Sequence, residues 1–277
     1  MTLRAPAKLN LCLYVGPRRA DGLHEIRSLF CPLTLADRIV VADAERDEVV
    51  CPGIDDPNLA AEALRKLRAR GWGRPAVRVE IEKRIPVAAG LGGGSADAAA
   101  VLRLAGDEVE RIPELAASLG ADVSSQLDPS FALVGGAGEV VEPLPAPADF
   151  GVVLVPGEGL ATADVYAEFD RLGSGRAAEE LDGLAERLRA ATAAGASPLD
   201  YPELLVNDLM PAARSLRPEV GSALAALAEA GAAVTLVAGS GLTAFGLFED
   251  IVAADRAAAE LPPRYASAIV AAPEIER

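Results

Sequence analysis

Residues Pro86, Val87, Ala88, Ala89, Gly90, Leu91, Gly92, Gly93, Gly94, Ser95 and Ala96 place four glycines in five positions ahead of an alanine-rich helical pattern from Ala96 to Leu104. Glycine turns the backbone through positive φ and approaches a ligand closely. A helix start supplies unpaired N–H groups and the positive end of the helix dipole. Together they predict a phosphate cradle. A plain helix cap accounts for one or two glycines, not for this cluster joined to a helix and a serine. No Gly-Lys-Ser/Thr ending follows, so the loop is not of the Walker type. Gly90, Gly92 and Ser95 only half match a dinucleotide-binding turn, and Lys83 to Ala89 separate the glycines from the preceding strand-like run Ala76–Ile81.

Other residues offer partner chemistry. Lys8 and Asn10 are two apart in a strand-like segment and share one face, with Leu9, Leu11 and Leu13 on the other. Lys8 reads either as an exposed edge-strand lysine or as a cation for a phosphate or a catalytic carboxylate. Asp122 follows a helix stop at Gly120, where it either caps a turn or serves as a general base. Phosphoryl transfer to an alcohol needs a base, a cation near the γ-phosphate and a metal. Gly239, Ser240, Gly241 and Thr243 form a second glycine-rich turn: a hairpin, or a piece that closes the site. His24 is the single histidine, in an expected loop, open to a capping role or to base recognition. Cys12, Cys31 and Cys51 show no C-x-x-C spacing, so neither a disulfide framework nor a metal cluster is expected.

Composition narrows the classes. The net charge of −15 argues against nucleic acid and makes any phosphate binding local. Only Lys8, Lys66 and Lys83 are lysines among 26 basic residues, which marks each of them. Apolar residues make up 51% and aromatics 4%, so the core must be built from Ala, Val and Leu. Neither a membrane span nor a signal peptide is expected, and the cytoplasm is the expected location.

The elements that must position these residues read as mixed. Strands are expected at Lys8–Val15, at Ile26–Leu35 broken by Pro32, and at Arg38–Ala42, Ala76–Ile81, Phe131–Val134, Val140–Val141, Gly151–Val155, Val234–Val237, Ala244–Phe248 and Ala266–Ala271. Helices are expected at Asn58–Arg70, Ile112–Leu119, Ala178–Ala194, Glu219–Ala230 and Ala253–Leu261. Without regular βαβ alternation this is an α+β chain of two domains. The proline-rich run Pro143–Pro147 places the boundary near residue 150, giving 1–150 and 151–277.

The run P-x-x-x-G-L-G-G-G-S at Pro86–Ser95 resembles the phosphate loop of the GHMP kinases. P-A-K-L-N-L-C-L from Pro6, R-R-A-D-G-L-H-E from Arg18, and S-L-F at Ser28–Phe30 resemble the branch that phosphorylates the 2-hydroxyl of 4-diphosphocytidyl-2-C-methyl-D-erythritol in non-mevalonate isoprenoid synthesis. The resemblance implies a fold that joins an N-terminal domain like ribosomal protein S5 domain 2 to a ferredoxin-like C-terminal domain. It implies ATP and Mg²⁺ as cofactors, Lys8 and Asp122 as the catalytic pair, and Pro86–Ala96 on the ATP phosphates. Asn10, His24, Thr162 and Tyr166 would line the cytidine-diphosphate side, with Tyr166 stacked on cytosine, and Gly239–Thr243 would be a third motif. The chain departs from the family pattern in three places: Leu23 replaces a tyrosine, Ala96 replaces a serine, and Ser124–Gln126 replace Pro-x-Phe. Two alternatives stay open: a GHMP kinase for another alcohol, and a nucleotide-binding regulator without turnover. Oligomeric state is not indicated.

Overall fold

The computed structural model describes residues 1–54, 58–157 and 160–274. Two compact units divide the chain: Met1–Ala7, Leu35–Val87 and Gly92–Pro129 form the first, while Lys8–Thr34, Ala88–Leu91 and the chain from Ser130 onward form the second. The division expected near residue 150 falls inside the second unit. Residues 132–134 pair with residues 28–30, which ties the chain around them to an early strand.

Two long strands open the chain, β1 (Thr2–Arg18) and β2 (His24–Asp43). The sequence had suggested three shorter ones, with a break at Pro32. The break does not occur. Near Pro32 the strand pairs through an isolated bridge, Leu33 with Pro273, where a missing N–H is tolerated. His24 is correspondingly the first residue of β2 rather than part of a loop.

In the first unit, Arg38–Asp43 of β2 run antiparallel to β4 (Val77–Glu82), and β3 (Glu48–Val50) adds in parallel. Three longer helices, α1 (Leu59–Ala69), α2 (Gly93–Arg103) and α3 (Ile112–Leu119), are joined by the short α4 (Ala121–Ser125). Helix α1 buries Ala60, Ala63, Leu64 and Leu67, an i, i+3, i+4, i+7 stripe. Asn58 caps it by accepting from the Ala60 N–H at 2.9 Å. Ile39, Val41, Val79 and Ile81 from the sheet share a core with these residues and with Ala96, Ala98, Ala99 and Ala100 of α2. The small side chains of α2 let its backbone lie close to α1. Each buried leucine contributes roughly 1.5–3 kcal/mol.

In the second unit, β5 (Ala132–Gly135) pairs with β2 and with β6 (Val140–Pro143). A separate antiparallel sheet has the order β10-β7-β9-β8, built from β7 (Gly151–Val155), β8 (Val234–Val237), β9 (Ala244–Phe248) and β10 (Ile269–Ala271). Helices α8 (Glu219–Glu229) and α9 (Ile251–Glu260) share its core through Val220, Leu224, Leu227, Ala254 and Ala257. This order, with its intervening helices, is the ferredoxin-like arrangement. The remaining helices are α5 (Thr162–Leu172), α6 (Ala178–Thr192) and α7 (Met210–Leu216). Sequence periodicity did not single out α5 or α7. Helix α5 buries only Val165 and Phe169, and α7 is barely two turns long.

Candidate active site

The glycine loop has the backbone its sequence demands. Ala88, Gly90 and Gly92 have φ of 56°, 76° and 69°. Glycine adopts that region freely, whereas Ala88 does so at a cost. Helix α2 starts at Gly93, three residues earlier than its alanine pattern suggested, and no side chain caps it. Its first N–H groups are thus left for a ligand, with the helix dipole behind them. Ala89, Leu91 and Ala96 turn their side chains into the protein, 2%, 1% and 1% exposed, while Val87 and Ala88 are exposed. Pro86 and Ser95 are half-buried.

Within the second unit, the segment Ala88–Leu91 rests backbone to backbone on the second glycine turn. A Cβ at Gly90 would stand 2.1 Å from the Ala238 carbonyl oxygen. One at Gly241 would stand 2.7 Å from Ala89 C and O and from Gly90 N. Neither position accepts a side chain without moving backbone. The turn is itself held by Asn207, whose buried Nδ2 donates to the carbonyls of Val237 and Gly239 at 2.8 Å each. Asn207 Oδ1 accepts from the Leu209 N–H at 2.9 Å. No sequence pattern drew attention to Asn207. Thr243 is fully buried, and its Oγ1 has no hydrogen-bond partner among the described residues.

Strand β1 delivers Lys8 and Asn10 to the same place. The Lys8 N–H donates to the Leu91 carbonyl at 3.0 Å, so β1 binds the loop directly. Lys8 is 6% exposed, which excludes the edge-lysine alternative. Its ammonium donates to Asn10 Oδ1 at 2.6 Å and lies 4.6 Å above the Phe30 ring. Asn10 Nδ2 donates to Ser28 Oγ at 2.8 Å, and Ser28 Oγ donates in turn to the Cys12 carbonyl. A buried cation therefore sits in a fixed polar chain beside an apolar ring, where its charge is weakly screened. A Cβ on Gly239 would lie 3.2 Å from Asn10 Oδ1, 3.3 Å from the Gly90 carbonyl and 3.6 Å from Lys8 Nζ. Lys8, Asn10, Gly90 and Gly239 are thus gathered, although Gly90 lies 82 residues and Gly239 lies 231 residues after Lys8 in the chain.

A second group lies at the start of β2 and along α5. The buried His24 ring stacks on Tyr166, centroids 5.1 Å apart and planes 24° apart, with Phe169 edge-on at 5.9 Å. Asp170 Oδ1 is 2.8 Å from His24 Nε2 and holds the ring's orientation. Leu23, where the resemblance implies a tyrosine, is 52% exposed, and the ring that faces Tyr166 is His24. Thr162, the first residue of α5, accepts a hydrogen bond from Ser240 Oγ at 2.9 Å and links this helix to the second glycine turn.

In the first unit, Asp122 is the second residue of α4, not a cap after a helix stop. Helix α4 buries Val123 in the core it shares with α2, and Arg103 at the end of α2 donates to the Gln126 carbonyl at 2.7 Å. Asp122 is thus mounted on an element fastened to α2. The buried Gln126 leaves its Oε1 without a partner among the described residues. A further cluster, unforeseen except for the scarcity of lysine, joins Lys83 to Asp37 and Asp97. Burial raises Asp97 to about 7. Burial alone would lower Lys83, but its two carboxylates outweigh that and raise it.

The loop has features that suit a polyphosphate: left-handed glycines and an uncapped helix start. Among the described residues no group of three His, Cys, Asp or Glu side chains could hold a metal by itself. A Mg²⁺ that arrives on nucleotide phosphates needs only one or two carboxylates.

Comparison with known proteins agrees with this chemistry. Residues 58–136 match the N-terminal domain of GHMP kinases. A protein of Thermobifida fusca (strain YX) named 4-diphosphocytidyl-2-C-methyl-D-erythritol kinase is 42% identical, covering 94% of this chain and 91% of its own length. One of the same name from Mesorhizobium japonicum is 39% identical over 98% of this chain and 94% of that protein. A crystal structure of 4-(cytidine 5'-diphospho)-2C-methyl-D-erythritol kinase superposes with a TM-score of 0.80 at 36% identity, covering 98% of both chains. Similarity of this extent, in sequence and in fold, makes the chain a member of the GHMP kinase family, within its 4-diphosphocytidyl-2-C-methyl-D-erythritol kinase branch.

Proposed function

We propose that the protein transfers the γ-phosphoryl group of ATP to the 2-hydroxyl of 4-diphosphocytidyl-2-C-methyl-D-erythritol. The observation that carries the chemistry is the gathering of Lys8, Asn10, the loop at Gly90 and the turn at Gly239. The substrate follows from the relatives that share nearly the whole chain.

Bound ATP supplies the phosphoryl group, and Mg²⁺ bound to it neutralises part of its charge. The backbone N–H groups of Gly92–Ser95 hold the phosphates, the Ala96 N–H being bonded to the Gly92 carbonyl. Asp122 takes the proton as the hydroxyl oxygen bonds to the γ-phosphorus and the bond to the β–γ bridging oxygen breaks. Lys8 offsets the charge that spreads onto the transferring oxygens and leaves with ADP. Asn10 holds the Lys8 ammonium in place. His24 and Tyr166 offer stacked rings to cytosine, and Thr162 with Ser240 offers hydroxyls to the cytidine-diphosphate side. Gly241 and Thr243 complete the turn that supports the loop. Residues 1–150 serve as the ATP-binding domain and 151–277 as the C-terminal domain. The described residues contain no helix long and apolar enough to cross a membrane, and all three cysteines are free; we assign the enzyme to the cytoplasm.

The test is ADP release and product formation with ATP, Mg²⁺ and the cytidine-diphosphate substrate. Phosphorylated product, lost in Asp122→Asn, supports the reading. ATP binding without turnover would overturn it in favour of a regulator. One observation favours a second reading, a kinase for a different alcohol: Leu23 is half exposed where the family resemblance implies a tyrosine. A panel of alcohol acceptors separates the two.

A further inference from the structure

Lys83, Asp37 and Asp97 form a buried charge cluster that the phosphoryl transfer does not use. Asp37 is fully buried. Its Oδ1 accepts the N–H groups of Arg84 at 2.6 Å and Ile85 at 2.9 Å, and its Oδ2 accepts from Lys83. The same ammonium donates to Asp97 Oδ2 at 2.7 Å. Asp97 is 4% exposed in the second turn of α2, and its Oδ1 has no hydrogen-bond partner among the described residues.

The cluster joins two stretches of the first unit. Residues Lys83–Ile85 lead from β4 into the glycine loop, and α2 is where the loop ends. The stretches touch: a Cβ on Gly93 would stand 3.0 Å from Ile85 Cγ2 and 3.2 Å from Lys83 Nζ. Between the tied stretches lie only Pro86 to Gly92, which include all three left-handed residues of the loop. Stability alone does not call for such a device. A buried ion cluster is often replaced by apolar side chains of the same volume without loss, and an unpaired buried carboxylate oxygen is costly. A costly cluster at both feet of a binding loop instead fits preorganisation, in which the ordering of the loop precedes ligand arrival.

We propose that Lys83, held between Asp37 and Asp97, is a positioning residue that locks the two feet of the Pro86–Ala96 loop, so that ATP meets a loop already in its binding shape. The proposal rests on the reading that this loop binds ATP. Its partners act through the lock and need not touch the nucleotide.

Amide hydrogen exchange of the nucleotide-free full chain tests it, with ATP titration calorimetry and steady-state kinetics beside it. In Asp97→Asn, a near-isosteric change, exchange across residues 86–96 is expected to accelerate on the order of tenfold, the scale of one charge-assisted hydrogen bond. Exchange in β7 and β9 should not change. KM for ATP should rise by a similar factor while kcat changes by less than about twofold. Lys83→Met should act in the same direction, and Lys83→Arg, which keeps the cation, should stay closer to wild type. If Lys83→Met does not fold, Asp97→Asn with Lys83→Arg carries the test. Unaltered loop exchange in nucleotide-free Asp97→Asn overturns the lock, whatever happens to KM, because a direct nucleotide contact would change KM alone. Absence of ATP binding to the wild-type protein overturns the ATP reading instead, and the exchange experiment remains readable without it.

Discussion

Lys8 and Asp122 carry the proposed chemistry for different physical reasons, and their substitutions separate them from binding. Lys8→Ala removes a desolvated cation, and Asp122→Asn removes a base while keeping its shape. Each should lower kcat by roughly 10²–10⁴, with ATP affinity measured by calorimetry kept within a few-fold. A wild-type rate in either variant removes that residue from the mechanism. For Tyr166, whose ring stacks on His24, Tyr166→Ala should raise KM for the cytidine substrate by about tenfold, or 1–1.5 kcal/mol of lost stacking, with KM for ATP unaltered. Asp97 gives a pH signature. Its carboxyl is pushed up to about 7 by burial, and the groups facing it are Lys83, Asp37 and Cys51. Between the ordinary carboxylate range near pH 4 and pH 7 the folded state binds more protons at this site than the unfolded chain does. Its contribution to stability therefore falls as pH rises through that window and is level above it. Asp97→Asn should remove this slope. Denaturant unfolding at pH 5 and pH 8 checks it: the wild type should lose more than the variant on going to pH 8.

At the scale of elements, the loop and the second glycine turn act as one backbone-packed pair. Gly90→Ala meets the Ala238 carbonyl, and Gly241→Ala meets Ala89 and Gly90. Neither obstruction is a flexible side-chain tip. Each substitution should cost about 1–3 kcal/mol of stability and should weaken ATP binding, as read by thermal unfolding with and without nucleotide. Ala at Gly53, where a Cβ would meet nothing within 4 Å, is the control for strain at positive φ alone. Asn207 makes three hydrogen bonds from one buried side chain. Its loss in Asn207→Ala should propagate to the turn, and a neutral effect on ATP affinity would show that the turn holds without it.

At the scale of the whole molecule, a net charge of −15 opposes an anionic nucleotide. Association with ATP should therefore quicken as salt rises from about 0.01 M to 0.15 M, over which the screening length shrinks from about 30 Å to 8 Å. Stopped-flow binding measures this directly. A rate that falls with salt would mean that the local field at the loop is positive enough to override the rest of the surface. In the proposed site, local binding by backbone N–H groups and one buried lysine is what lets an acidic protein hold a polyphosphate.

What could be read along the chain was whatever local rules control. The glycine cluster announced its torsions, alternation placed Lys8 and Asn10 on one face, and helix periodicity marked α1, α6 and α8 to within a few residues. Those features depend on neighbours up to four residues away. The sequence also carried enough family pattern around Pro86–Ser95 and Pro6–Leu13 to name the kinase chemistry. Continuity of β1 and β2 was hidden, because pairing partners more than a hundred residues away override the local signal of Pro32. Asn207, Asp170 and the Lys83 cluster were hidden for the same reason. A polar residue acquires its role from what it is buried beside, and burial is decided only when distant segments pack. Tertiary structure alone made Lys8 a buried cation, paired His24 with Tyr166, and turned three scattered charged residues into a brace for the loop.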